Sequence, residues 1–165
     1  MTRAIASIAA LLVLALPASP GAGTTTGTVS VSVSVAAVAK LTLSGSTVSF
    51  PNADPDTVPS ITASEGALTI ATKARTATGG PVTLTVMAIG DLTSGANIIA
   101  ASNVSWTATG AGFLPGTLST AAAQVVGSWI GAGSRTGTQT YQLANSWAYA
   151  TGTYSTTATY TLTAQ

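Results

Sequence analysis

From residue 24 onward, apolar and small hydroxyl-bearing side chains take turns along the chain, a two-residue rhythm that suits extended strands and not amphipathic helices. Thr28 to Val35 reads TVSVSVSV, with Val29, Val31, Val33 and Val35 on one side and serines on the other. Val82, Leu84, Val86 and Ala88 alternate with Thr83, Thr85, Met87 and Ile89, while Val104, Trp106 and Ala108 alternate with Ser105, Thr107 and Thr109. The closing segment is the most regular: Tyr154, Thr156, Ala158, Tyr160, Leu162 and Ala164 share one face, and Ser155, Thr157, Thr159, Thr161 and Thr163 the other. Such a pattern predicts strands with one face buried and one in water.

Turn-forming residues divide these runs at short intervals: Ser44-Gly45-Ser46, Pro51 to Pro59, Thr78 to Pro81, Gly90 to Asn97, Gly110 to Gly116, Gly131 to Ser134 and Thr151-Gly152. The spacing predicts seven to nine short strands in an all-β fold, an immunoglobulin-like antiparallel β-sandwich with Greek-key connections. The rival all-β architecture, an outer-membrane barrel, needs polar or charged lumen positions and aromatic girdles. Only 5% of this chain is charged and only 5% aromatic.

The first 23 residues carry a different signal. Met1-Thr2-Arg3 supplies a positive charge, Ala4 to Leu16 is apolar, and Pro17 to Gly23 is small and turn-prone. This is the pattern of a secretory signal peptide over residues 1–23, leaving a single domain over 24–165. The apolar run is shorter than the roughly 20 residues a membrane-spanning helix needs, and no later segment reaches that length, so no transmembrane segment is expected in the mature chain. The expected location is extracellular or at a cell surface.

The residue inventory narrows the chemistry. Of 165 residues none is Cys and none is His, which removes disulfides, thiolate nucleophiles and the commonest zinc and iron ligand sets. Serines are abundant, but the usual imidazole base is missing and only Lys40 or Lys73 could stand in for it. The sequence therefore predicts a non-enzyme without a cofactor. Beyond Arg3, four cations (Lys40, Lys73, Arg75, Arg135) balance four anions (Asp54, Asp56, Glu65, Asp91). A chain so poor in Lys and Arg is unsuited to nucleic acid, whose affinity comes largely from cations at phosphates. Its neutral Ser, Thr, Ala and Gly surface lacks the repulsion that keeps copies apart, which favours self-association.

Three constellations are candidate sites. Asn52, Asp54 and Asp56 surround Pro55 and could offer oxygens to calcium, or simply form a turn by bonding their own backbone. Trp147 and Tyr149, with Tyr141, could form an aromatic platform for a cell-wall polysaccharide, or pack beneath the loop before the last strand. The Val29–Val35 ribbon, within an exchangeable strand over residues 24–38, either opens its own sheet or pairs with the edge of a neighbouring molecule. Its repeat also leaves register weakly specified, because a slip of two residues keeps every valine on the same face.

Val104 to Gly110 (VSWTATG) together with Ala150 to Leu162 (ATGTYSTTATYTL) resembles bacterial secreted β-sandwich surface proteins. It is similar to the WxL-like cell-surface domains and, more loosely, to the spore-coat-U and pilin-like group, where a G-T-Y segment opens the final strand. Trp106, Trp129 and Trp147 are followed at the second position by Ala108, Gly131 and Tyr149, so no Trp-x-Leu is present. The resemblance implies an extracytoplasmic structural or adhesive role and carries over no catalytic residue. The expectation is a secreted structural subunit of a fibre or surface coat, with polysaccharide binding as the alternative.

Overall fold

The computed structural model describes Gly21 and residues 23–165. The signal peptide expected over residues 1–23 therefore lies, apart from Gly21 and Gly23, outside the described residues. The chain divides into two units between Val33 and Ser34. No strand is assigned through residues 23–37, and in this segment Val29, Val31 and Val33 are at least 86% exposed.

Ten strands follow: β1 (Val38–Leu43), β2 (Ser60–Arg75), β3 (Pro81–Ala88), β4 (Leu92–Ser94), β5 (Asn97–Ile99), β6 (Val104–Thr109), β7 (Gly116–Thr117), β8 (Gln124–Ile130), β9 (Gly133–Ala144) and β10 (Ala158–Ala164). They form a five-stranded sheet in the order β1-β2-β9-β6-β7, a three-stranded sheet β10-β3-β8, and the hairpin β4-β5. Every pairing is antiparallel. The fold is an all-β, antiparallel β-sandwich, as the alternation requires.

The strand count exceeds the expected seven to nine because three strands are only two or three residues long. β4 and β5 fold back on each other around Gly95, at φ 61°, inside a segment whose composition reads as a turn. β7 is the two-residue partner of Ser105 and Trp106 at the far edge of the larger sheet.

Alternation in sequence becomes alternation in burial. Val82, Leu84, Val86 and Ala88 on β3 are essentially inaccessible, and the last three share a core with Ile70 of β2, Val104 and Trp106 of β6 and Tyr141 and Leu143 of β9. Trp106 lies edge-tilted against Tyr141 with centroids 5.9 Å apart, and its indole donates to the Leu114 carbonyl at 2.9 Å. The buried ring thus keeps its N–H satisfied. At one end of the sandwich Trp129 packs with Ala74 and Val82 and carries the Arg135 guanidinium 5.5 Å from its centroid. β2 runs the length of the larger sheet and is interrupted by a bulge between Thr62 and Ala67, where Gly66 takes φ 72° and Glu65 turns outward. Ser49 binds the Glu65 carboxylate through both its backbone amide and its hydroxyl, which holds that carboxyl below its ordinary range.

β10 departs from the expectation of one buried face. Its inward residues Ala158, Tyr160, Leu162 and Ala164 are only half buried, because the strand lies at the rim of the smaller sheet.

Candidate functional site

The two sheets end differently on their two sides. On one side a segment from Gly110 to Thr117 closes the gap: Phe113 bridges to Gly127, Leu114 N–H donates to Val126 and Ser128 N–H to Gly112. The edge of β8 is therefore covered, and β7 is too short to present a ladder. On the other side, β1 pairs only with β2 and β10 only with β3, and among the described residues no strand takes up their outer edges. These two edges lie beside each other without hydrogen bonding.

Open edges expose unpaired N–H and C=O groups and are usually blunted by Lys, Pro, a bulge or short length. β1 carries Lys40 at its middle. β10 has none of these devices: it is seven residues long, uncharged, free of proline and in unbroken register with β3 from Ala158↔Ala88 to Ala164↔Val82. Its inner side offers Tyr160 and Leu162, half covered and already packed against the core. An open edge of this kind can accept a further strand whose alternate side chains are apolar. Val29, Val31, Val33 and Val35, outside any strand of the described residues, are exposed by 88, 90, 86 and 63%. Alternation alone could not show which of the strands would be left at a rim.

A second feature lies where two loops meet. Asn145, just past β9, donates through its side-chain amide to the carbonyls of Ala53 and Val58 at 3.1 and 3.0 Å, and through its backbone to Pro59. That staples the Pro51–Pro59 loop to the turn holding Trp147. The Trp147 indole then donates to Asp56 Oδ1 at 3.0 Å, across 91 residues of sequence. Two constellations read separately from the sequence thus form one tip, with Trp147 70% exposed. Asp54 Oδ1 accepts the Asp56 N–H at 2.9 Å, an Asx turn. One oxygen of each aspartate is thereby engaged within the protein, and Asn52 stands exposed.

The three aromatic candidates are not brought together. Tyr141, at 5% exposure, lies in the core against Trp106, where no ligand can stack on it, so it does not belong to the platform. It faces inward because it alternates with Thr140 and Gln142 on a strand flanked on both sides, β2 and β6. Tyr149 is half buried, its hydroxyl donating to the Ala144 carbonyl at 2.9 Å, and burial raises its ionisation above the ordinary range. Trp147 is the one member that presents an open face.

Among the described residues no three His, Cys, Asp or Glu side chains gather as a metal-ligand group. No helix of the described residues is long and apolar enough to cross a membrane. Comparison of the chain with protein-family models, with curated proteins and with solved structures finds no match.

Proposed function

We propose that this chain is a secreted, non-enzymatic structural subunit that assembles with copies of itself by lending the Val29–Val35 ribbon to the open edge of β10 on a neighbour. The observation that supports this reading is the coexistence of an open seven-residue edge and an exposed ribbon of matching rhythm. With the valines on the side of Tyr160 and Leu162, the serines fall on the side of Thr159, Thr161 and Thr163, in water. Each valine moved from solvent into such a seam contributes up to about 1.5–3 kcal/mol, opposed by the entropy of ordering the ribbon. The backbone pairing adds affinity, and the docking of alternate side chains supplies the specificity.

Deleting residues 24–35 tests it. The truncated protein should remain folded and monodisperse where the intact chain forms elongated particles by electron microscopy. Intact chains that stay monomeric at high concentration would defeat the reading.

A second reading, a polysaccharide-binding module, is favoured by the exposed Trp147 face, held in place through Asp56. A fixed aromatic ring beside carboxylate acceptors suits the apolar face and hydroxyls of a sugar. Retention on insoluble polysaccharide, lost on Trp147→Ala, would support it.

A further inference from the structure

The eight charged side chains of the described residues are sorted by sign along the strand axis. At one end, Lys40 is the direct cross-strand partner of Lys73, Val38 is the partner of Arg75, and Arg135 is the partner of Thr72. At the other end the loop bearing Asp54 and Asp56 is stapled to Asn145, beyond the pair Ser60↔Ala144. Glu65 lies in the bulge on that same half, between the pairs Thr62↔Gln142 and Ala67↔Thr140. Asp91, just past β3, caps the Ala101 N–H at 2.8 Å, next to Val104, the partner of Leu143. β9 spans the domain with 12 residues, so the poles are about 36 Å apart at roughly 3.3 Å per residue.

The basic pole presents an open recess. Arg135 is engaged on Trp129, but Lys40, Lys73 and Arg75 line a cleft of about 510 Å³ with Val38, Gly133 and Ser134. Like charges directly opposite on paired strands repel, so Lys40 and Lys73 gain from any anion placed between them. The acidic pole is exposed: Asp54 and Asp56 each keep an oxygen outside their internal bonds, and Asp56 holds the exposed Trp147. Carboxylates match ammonium and guanidinium donors, and an indole face matches a guanidinium.

We propose that the Trp147–Asp56 tip of one copy seats in the Lys40–Lys73–Arg75 cleft of the next. The contact joins two different patches, so repetition gives an open polar filament rather than a closed pair. It deepens the assembly reading and rests on it, adding a direction to the fibre. Four cations against four anions leave the described residues without net charge, so long-range attraction to a foreign polyanion is weak while the poles remain complementary. The ribbon continues into Val38, a wall of the same cleft.

The test uses two versions of the intact chain. Lys40→Glu/Lys73→Glu destroys the cleft and keeps the tip. Asp54→Asn/Asp56→Asn/Trp147→Ala destroys the tip and keeps the cleft, and its asparagines retain the oxygen that forms the Asx turn. Each alone should raise the concentration for half-assembly by about tenfold or more, equivalent to the loss of about 1.4 kcal/mol. At ionic strength near 1 M, where the screening length falls to about 3 Å, the intact chain should weaken similarly. Mixed at equal concentration, the two variants should assemble further by sedimentation velocity than either does alone, since one supplies a live tip and the other a live cleft. Assembly that survives both variants and high salt would overturn the pole-to-pole contact while leaving strand lending intact. An intact chain that never assembles would overturn both. Unchanged assembly with loss of binding to an anionic polysaccharide in the cleft variant would overturn it in favour of a polyanion partner.

Discussion

The hydroxyl of Tyr160, on the rim strand of the smaller sheet, donates to the side-chain carbonyl of Gln139 in the middle of the larger one. With its proton committed there, Tyr160 accepts from the Tyr141 hydroxyl. Gln139 is fully buried, so its carbonyl has no water to turn to. This three-residue chain ties β10 to β9 across the sandwich interior. It fixes the inner face of the strand whose outer edge is open, so a partner strand would meet a rigid template and not a frayed one.

Replacing Tyr160 by Phe leaves the Gln139 carbonyl and the Tyr141 hydroxyl unpaired in the core. The expected cost is about 1–3 kcal/mol, seen calorimetrically as a melting temperature lower by several degrees. Combining Tyr160→Phe with Gln139→Leu should cost less than the sum of the two single changes, because the orphaned carbonyl is removed as well.

Burial, the Tyr141 hydroxyl and their hydrogen bond push the ionisation of Tyr160 far above its ordinary value of 10.0, and burial raises that of Tyr141 too. The folded state therefore keeps protons that the unfolded chain releases. Stability from this source is complete below pH 10 and declines as pH rises past it. Urea denaturation between pH 8 and 11.5 should show this decline, and it should be shallower in Tyr160→Phe, which has one such group fewer.

Gly137 on β9 is a second sensitive point. A methyl group there would approach the Thr109 carbonyl oxygen to 2.6 Å and enter the Phe113 ring. Backbone on one side and a buried ring on the other cannot both retreat. Gly137→Ala should lose about 1–3 kcal/mol, as a lower urea midpoint at unchanged slope.

Asn145 decides whether the Trp147 tip is fixed. Asn145→Ala removes two side-chain bonds to the Pro51–Pro59 loop, at about 1–2 kcal/mol. Hydrogen exchange should quicken at Asp56 and Val58, and Trp147 fluorescence anisotropy should fall, while Trp106 keeps its buried emission.

The fold class was legible because a two-residue rhythm has one structural solution, and Val82 to Ala88 and Val104 to Ala108 point inward as their alternation requires. Tyr141 shows the limit. Its position in an alternating strand fixes a face, but only pairing with β2 and β6 makes that face the core. The meeting of Trp147 with Asp56, and of Lys40 with Lys73, follows from register between segments far apart in the chain, which local composition does not encode. Likewise β10 and β3 read alike in sequence, yet one is a rim and the other a centre.

The ribbon itself yields the sharpest prediction about assembly. Side chains on a strand alternate with a period of two, so removing one Val-Ser pair keeps all remaining valines on one face, whereas removing one residue sends half of them to the other. Deleting Val31 and Ser32 together should preserve elongated particles with assembly weakened only by the loss of one valine. Deleting Ser32 alone removes less mass but splits the row, leaving Val29 and Val31 on one face and Val33 and Val35 on the opposite one. It should weaken assembly far more than the double deletion. Comparable assembly in the two deletions, measured by light scattering at matched concentration, would mean that the valines do not dock as a row. The ribbon would then act only as a tether, and the open edge of β10 would have to be filled by something else.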